Sequence, residues 1–389
     1  MPSDAAPPVA RAAPLAAVTI AAPAATGAAS RRRSGGLDLA RAAAIAAVLV
    51  SHLLSVRPLG PRAAAATVYL GAAGVELFFS LSGFLIGRLL IDLAEGGLRP
   101  ARIGRFLGRR WLRTLPLYYA VLGFSIWLFA RPDWPSLFFM QNFYPEASRV
   151  VPVSWSLVME EYFYALFPAF LVVGGWLAGG RLRGVALVRS VALAVIAVAT
   201  AWRFAAAFGA VVPAESWFHT APLGRLDCAA YGVLAACVAR RPGLARVPAG
   251  WAIALGLLGA ASVAVLFLVA AEPALRAGSG FAAWGWLYRP LQWSLLDACF
   301  AVLVWGLWRR LPRLPAGLAG PALALSTLSY SLYLTHLFPI AFLLPGLVAR
   351  FGGSLGGLFC GAAMLPLAAC TWALIERPFL ALRDRVLSA

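Results

Sequence analysis

The feature that most constrains this chain is a series of long apolar runs, each of a length that suits a membrane-spanning helix. A helix needs about 20 predominantly apolar residues to cross the hydrocarbon core of a bilayer. The runs recur at 37–56, 67–91, 111–130, 151–176, 185–208, 221–239, 251–271, 286–308, 321–345 and 354–376. The sequence therefore predicts an all-α polytopic membrane protein with about ten transmembrane helices, and the lipid bilayer is its first expected partner.

Composition supports this class of protein. Of the 389 residues, 62% are hydrophobic and 12% are charged, whereas about 25% are charged in typical soluble domains. The formal net charge of +18 comes from arginines that lie mostly between the apolar runs. Positive cytoplasmic loops explain that charge, so no nucleic-acid partner is expected. The five cysteines have no paired spacing, and we expect neither a disulfide nor a metal site.

The arginines also predict the orientation of the spans. Threading the chain with its N-terminus inside places most arginines in cytoplasmic segments, at 31–33, 99–110, 181–189, 240–246, 309–313 and 377–385. The other side receives few, namely Arg57, Arg62, Arg131, Arg149, Arg276, Arg289 and Arg350. Positive charge is typical of cytoplasmic loops, so both termini are predicted to be cytoplasmic.

Three regions follow from this threading. Residues 1–36 are rich in alanine and proline and are predicted to be a disordered cytoplasmic tail. A signal peptide is the alternative, but no small-residue cleavage site follows the first strong apolar run. Residues 37–379 are predicted to form one membrane domain, and residues 380–389 a short cytoplasmic tail.

The first span, "LDLARAAAIAAVLVSH", places Arg41 and His52 on one helix. A step of eleven residues is about 1100°, close to three full turns, and a rise of about 16 Å. The two side chains therefore share one face, with the arginine toward the cytoplasm and the histidine toward the other side.

Other ionisable residues lie inside the apolar runs, where an uncompensated charge costs about 2.5–3.5 kcal/mol or more. They are Glu76, Glu160, Glu161, Arg225, Asp227, Asp297, His336 and Glu376. Such groups can pair with one another and fix helix packing. Two histidines and several carboxylates facing one interior also suit proton-transfer chemistry or proton-coupled transport.

An arginine pair stands at the predicted cytoplasmic start of the third span. Arg110 and Arg113 are three residues apart in "RRWLRTLPLYY" and are neighbours on one helix face. Guanidinium groups bind phosphate bidentately, so the pair suits a ligand that carries several phosphates. An ordinary cluster of positive cytoplasmic charge is the alternative interpretation.

Several motifs together resemble those of the bacterial acyltransferase 3 family of integral-membrane O-acyltransferases. They stand in the order "LDLARAAAIAAVLVSH", "GVELFFSLSGFLIGRLL", "RRWLRTLPLYY", "WSLVMEEYFYALFP", "RLDCAAYG", "LSYSLYLTH" and "IERPF". The resemblance covers almost all of the chain from Leu37 to about Phe379. It implies a multi-pass protein of the bacterial inner membrane that transfers an acyl group, usually acetyl, from cytoplasmic acyl-coenzyme A to a hydroxyl of a glycan or glycosylated product.

The resemblance and the residues together suggest roles. Arg41, Arg110 and Arg113 would bind the acyl-coenzyme A donor, and His52 would act as the general base on the acceptor hydroxyl. Glu160 would orient the imidazole, with Glu76 or Glu161 as substitutes.

Other chemistries stay open at this stage. An acyl-His52 intermediate is one, and Ser80 or Ser82 as nucleophile is a less favoured one, because small polar residues beside a glycine more often serve helix packing. A proton-coupled transporter or a flippase of a lipid-linked or small polar substrate is the alternative from another functional class. The other large class of membrane-bound O-acyltransferases is disfavoured, because the pattern that surrounds its histidine is missing here.

Overall fold

The computed structural model describes residues 34–144, 149–208, 215–271 and 281–387. Within these ranges the chain is helical almost throughout and contains no strand. The longer helices are α1 (Gly35–Ser55), α2 (Pro61–Glu95), α3 (Pro100–Phe129), α4 (Trp155–Leu177), α5 (Gly184–Ala207), α6 (Ala230–Ala239), α7 (Ala249–Ala271), α8 (Phe281–Arg310), α9 (Ala316–Thr335), α10 (Leu344–Thr371) and α11 (Arg377–Val386). Short helices lie at Trp134–Leu137, Gln141–Phe143, Pro152–Ser154, Glu215–Thr220, Pro222–Arg225, Pro242–Arg246, Leu337–Phe342 and Trp372–Glu376.

Nine helical stretches of the described residues are long and apolar enough to cross a membrane. They are Gly35–Ser55, Pro61–Glu95, Pro100–Phe129, Pro152–Leu177, Gly184–Ala207, Pro222–Ala239, Ala249–Ala271, Gly285–Arg310 and Leu344–Val386. The predicted all-α polytopic membrane protein is confirmed. The remaining predicted span, 321–345, is helical as well, but it is divided among α9, the short helix Leu337–Phe342 and the start of α10.

This ninth predicted span is interrupted. α9 ends at Thr335, a short helix follows at Leu337–Phe342, and α10 begins at Leu344. The backbone of α10 is then broken at Gly352, whose φ of +79° is a conformation that favours glycine. His336 is thus the residue between the end of α9 and the short helix that follows.

Helix α2 is the centre of the bundle and is buried over much of its length. On one side Gly83 and Gly87, spaced as in a G-x-x-x-G motif, meet the start of α6. An added methyl group on Gly83 would overlap the carbonyl of Ala229, and one on Gly232 would overlap the Ser80 carbonyl. Small residues therefore let α2 and α6 approach at backbone distance, as is usual where membrane helices pack without a hydrophobic driving force.

Contacts between loops group the helix ends into two sets. At one end the amide of Gly36 donates to the carbonyl of Leu311 (2.7 Å), and Arg240 pairs with Asp92 (2.6 Å). Arg109 likewise pairs with Asp384 of α11 (3.2 Å). Every one of these segments is predicted to be cytoplasmic, so segments assigned to one side do meet.

The opposite set of helix ends is joined in the same way. Arg57 donates to the carbonyl of Gly353 (2.8 Å), and deeper in the bundle the hydroxyl of Tyr69 in α2 donates to the carbonyl of Ala260, midway along α7 (3.0 Å). These contacts agree with the alternation of the threading, and which set faces the cytoplasm stays a prediction. The predicted tail 1–36 lies outside the described residues apart from 34–36, and α1 already begins at Gly35.

Candidate active site

A cavity of about 120 Å³ lies between helices α1, α2, α3, α4 and α9. Three of its lining residues are the arginines predicted to bind a donor, Arg41, Arg110 and Arg113, and a fourth is Glu160. The structure therefore brings together four of the six predicted site residues. His52 and Glu76 do not line this cavity.

Arg41 is held where α1 meets α9. Its Nη1 donates to Ser326 Oγ (2.9 Å), and that hydroxyl donates to Asp38 Oδ1 (2.6 Å). The guanidinium also lies 3.5 Å from Asp38 Oδ1. These contacts fix the charged group at the edge of the cavity, where it is mostly buried.

Arg110 lies over the ring of Tyr164, with 6.0 Å between the guanidinium carbon and the ring centre. Such cation–π packing holds the side chain in place. Its Nε is buried and has no hydrogen-bond partner within the structure. A buried N–H group normally has an acceptor, so an oxygen-rich anion in the cavity would satisfy it. Arg113, one turn along α3, lines the same cavity.

Glu160 is bound to two hydroxyl groups. Ser82 Oγ donates to Glu160 Oε1 (2.5 Å), and the hydroxyl of Tyr164 donates to the same oxygen. Ser82 Oγ and the Tyr164 hydroxyl are 2.8 Å apart. The sequence predicts that Glu160 orients the imidazole of His52, but in the structure Glu160 forms no hydrogen bond with His52. It faces Ser82, Tyr164 and the nearby arginine Arg110 instead.

Glu161 is also engaged away from the histidine. Thr114 Oγ1 donates to Glu161 Oε1 (2.7 Å), and the hydroxyl of Tyr330 donates to the Thr114 carbonyl (2.6 Å). These bonds join α4, α3 and α9 beside the cavity. Glu161 therefore contributes to packing of the cavity wall.

His52 packs against His336, with ring centres 4.8 Å apart and an interplanar angle of 63°. His52 Nδ1 lies 2.9 Å from the Val48 carbonyl, and His336 Nδ1 lies 3.0 and 2.9 Å from the carbonyls of Leu332 and Tyr333. Because a carbonyl can only accept, each Nδ1 is the donor in these contacts, and in a neutral ring the lone pair is then on Nε2. His336 is fully buried with its Nε2 unpartnered, whereas His52 is half-buried.

Tyr333 connects the cavity with this histidine pair. It lines the cavity, and its ring centre is 6.2 Å from that of His336. Its hydroxyl is 2.6 Å from Ser156 Oγ and donates to the carbonyl of Val153 (2.9 Å). The ring therefore belongs to the arginine-lined cavity and also lies next to His336.

Glu76 belongs to a different cluster. Its carboxylate pairs with Arg225 and lies 3.1 Å from His219 Nε2. Arg225 also pairs with Asp297 at 3.3 Å, and all three charged side chains, Glu76, Arg225 and Asp297, are fully buried. Glu76 is therefore not positioned to orient His52, and its contacts suit compensation of a buried cation.

Sequence reasoning missed Tyr164, Tyr333 and His219. Tyr164 lies four residues after Glu160 and Tyr333 three residues before His336, so helix periodicity could have placed each beside its partner. His219 stacks on Trp293 with ring centres 4.2 Å apart. His219 lies outside every predicted span, so the sequence offered no signal for it.

Fold and cavity together define a multi-pass helical membrane protein with a buried, arginine-lined site. The family model of the acyltransferase domain (acyltransferase 3) matches residues 34–373, and the chain belongs to this family. It is an acyltransferase, and both the predicted family and the predicted enzyme class are confirmed. No metal-binding group of histidine, cysteine, aspartate or glutamate is found among the residues described.

Two curated relatives are similar over part of the chain. YrhL of Bacillus subtilis (strain 168) is 31% identical over 176 residues, which is 39% of this chain and 26% of that protein. Its name gives a provisional assignment as a peptidoglycan O-acetyltransferase. Peptidoglycan O-acetyltransferase OatA of Listeria monocytogenes serovar 1/2a (strain ATCC BAA-679 / EGD-e) is 28% identical over 166 residues, 37% of this chain and 25% of that protein. The matched region thus spans about a quarter of each relative. No solved structure matches the chain significantly.

Proposed function

We propose that this protein is an O-acetyltransferase of the bacterial inner membrane that moves an acetyl group from acetyl-coenzyme A to a hydroxyl of a cell-wall glycan. The observation that carries the proposal is the cavity in which arginines from α1 and α3 converge. The names of the two relatives support the acetyl group and the glycan acceptor. A peptidoglycan acceptor is the first to test.

Arg41, Arg110 and Arg113 bind the phosphates of the donor in this proposal. Guanidinium groups stay charged and offer paired N–H donors that match phosphate oxygens. The unpartnered Nε of Arg110 supports an anion at this place. The thioester then extends along the cavity toward Tyr333, which lies next to His336, the ring that packs against His52.

His52 is the general base. Its Nδ1 proton is engaged by the Val48 carbonyl, which leaves the Nε2 lone pair to accept a proton from the acceptor hydroxyl. The hydroxyl oxygen attacks the thioester carbonyl, the C–S bond breaks, and the proton taken by His52 passes to the coenzyme A thiolate. Because His52 is half-buried and His336 is fully buried, an acceptor can reach only the first of the two rings.

Glu160 belongs to the donor site in this proposal and does not orient His52. With Ser82 and Tyr164 it presents a negative group beside Arg110 in the donor cavity. We propose that this carboxylate holds the arginine in position for the donor, and that Glu76 stabilises the bundle through Arg225.

The test is release of coenzyme A from acetyl-coenzyme A by the purified protein in lipid nanodiscs, with and without peptidoglycan strands. Acceptor-dependent release with acetyl groups recovered on the glycan supports the proposal. Coenzyme A release that does not depend on any glycan contradicts the proposed glycan acceptor. Absence of donor binding contradicts the acetyl-coenzyme A donor and favours the alternative of a transporter or flippase.

A further inference from the structure

The cavity has two chemically different ends. Ser156 in the first turn of α4 is bonded to Tyr333 in the last turn of α9, and Tyr164 further along α4 lies under Arg110. Eight residues of α4 separate Ser156 from Tyr164, which is about 12 Å along a helix. The arginines therefore mark one end of the cavity, and Tyr333 with its neighbours marks the other.

Two large rings lie at the far end. Phe78 of α2 and Tyr333 of α9 both line the cavity, and they meet edge to face with ring centres 6.3 Å apart and an interplanar angle of 75°. The Tyr333 ring is anchored through its hydroxyl to Ser156 and to the Val153 carbonyl. It is also 7% exposed, and its ring centre lies 6.2 Å from that of His336. An anchored, buried ring is costly to displace.

We propose that Phe78 and Tyr333 form an end wall that limits the donor to a short acyl chain. The inference rests on the proposed function, because it requires the donor phosphates to lie at the arginine end. The acyl group then points away from the phosphates and its terminal methyl group meets the two rings. A longer chain must displace a ring or leave the phosphates misplaced.

The discrimination expected per methylene group follows from hydrophobic pockets in general. One extra methylene that does not fit is worth about 10–200-fold. Butyryl-coenzyme A carries two methylenes more than acetyl-coenzyme A, so it should bind at least about tenfold more weakly to the wild-type protein.

The experiment compares binding of coenzyme A, acetyl-coenzyme A and butyryl-coenzyme A to purified protein in lipid nanodiscs. Phe78→Ala opens the wall from α2 and should bring the affinity of butyryl-coenzyme A to that of acetyl-coenzyme A, while coenzyme A itself binds as before. Tyr333→Leu opens the same wall from α9 and should relax the same discrimination. It tests the inference independently if Phe78→Ala fails to fold.

Phe84→Ala is the matched control. Phe84 is another phenylalanine of α2; it is fully buried, whereas Phe78 is partly buried, and it packs near Trp308 and does not line the cavity. This variant should keep the wild-type preference for acetyl-coenzyme A. If Phe84→Ala also lost the preference for acetyl-coenzyme A over butyryl-coenzyme A, the cause would be a general loosening of the bundle, and the proposed end wall would be wrong.

Two further outcomes separate the wall from the function on which it rests. Wild-type protein that binds coenzyme A but takes the two acyl donors equally would overturn the wall and leave the proposed function standing. Failure to bind any of the three compounds would overturn the donor assignment itself, and the wall with it.

Discussion

The sharpest prediction concerns replacement of His52 by asparagine. The side-chain amide of the introduced asparagine would reproduce the Nδ1–H group that donates to the Val48 carbonyl, now 2.9 Å away, and would lack the Nε2 lone pair. His52→Asn therefore removes the proton acceptor while keeping the local hydrogen bond. Folding, membrane insertion and donor affinity should stay close to those of the wild type.

The expected size of the effect follows from the neighbouring residue. Loss of a general base costs about 10²–10⁴ in rate. His336 is the one other imidazole in contact with His52 among the described residues, and it is fully buried. It cannot reach the acceptor hydroxyl, so it cannot replace His52. We therefore expect a loss near the upper limit, about 10⁴-fold, which corresponds to about 5 kcal/mol in the activation free energy.

The assay is transfer of labelled acetyl from saturating acetyl-coenzyme A to peptidoglycan strands by protein in nanodiscs. His336→Asn is the matched variant, because its amide can still donate to the Leu332 and Tyr333 carbonyls and the lost Nε2 has no partner. Its rate should stay within about tenfold of the wild type. The reasoning fails if His52→Asn stays within tenfold of the wild type, or if His336→Asn alone abolishes transfer.

Three further predictions address the donor, the buried network and the topology. Arg113→Ala should weaken acetyl-coenzyme A binding by about tenfold or more and Arg113→Lys by less, because a hydrogen bond to a charged group is worth about 1.5–3 kcal/mol. If a binding titration gave the same affinity for the wild type and both variants, Arg113 would have only a topological role. Glu76→Gln should lower thermal stability, because breaking a buried ion pair costs about 3–5 kcal/mol. It should leave donor affinity unchanged, because Glu76 lies outside the cavity. Loss of donor binding at unchanged stability would contradict this prediction. Reporter fusions at 99–105, 181–183 and 309–313 should read cytoplasmic and fusions between α3 and α4 external, and an inverted pattern would refute the orientation.

Much of the helical architecture was predictable because a membrane helix must be apolar along its whole length. The predicted span 37–56 corresponds to helix Gly35–Ser55, and 251–271 to Ala249–Ala271. The break after α9 was not predicted. Hydropathy stays high across Leu337–Phe342, and Pro339 was the signal in the sequence that a helix would be interrupted there.

The site was predictable in part for a related reason. Helix geometry places Arg110 and Arg113 on one face, and both do line the cavity. The partner of a side chain on another helix depends on the rotation and depth of two packed helices, which periodicity within one helix cannot give. Glu160 illustrates this limit, because it was expected beside His52 and is bonded to Ser82 and Tyr164.

The close approach of α2 and α6 at Gly83 and Gly232 has a consequence for how the cavity can open. Helices in backbone contact cannot slide or separate without losing many contacts at once, so α2 is a fixed wall of the cavity on the side of Ser82 and Phe78. Under the proposed function, a bulky donor enters by motion of α1, α3, α4 or α9, which line the other sides of the cavity. The catalytic cycle of this enzyme would thus divide the bundle into a static half built around α2 and a moving half that carries Arg110, Glu160 and Tyr333.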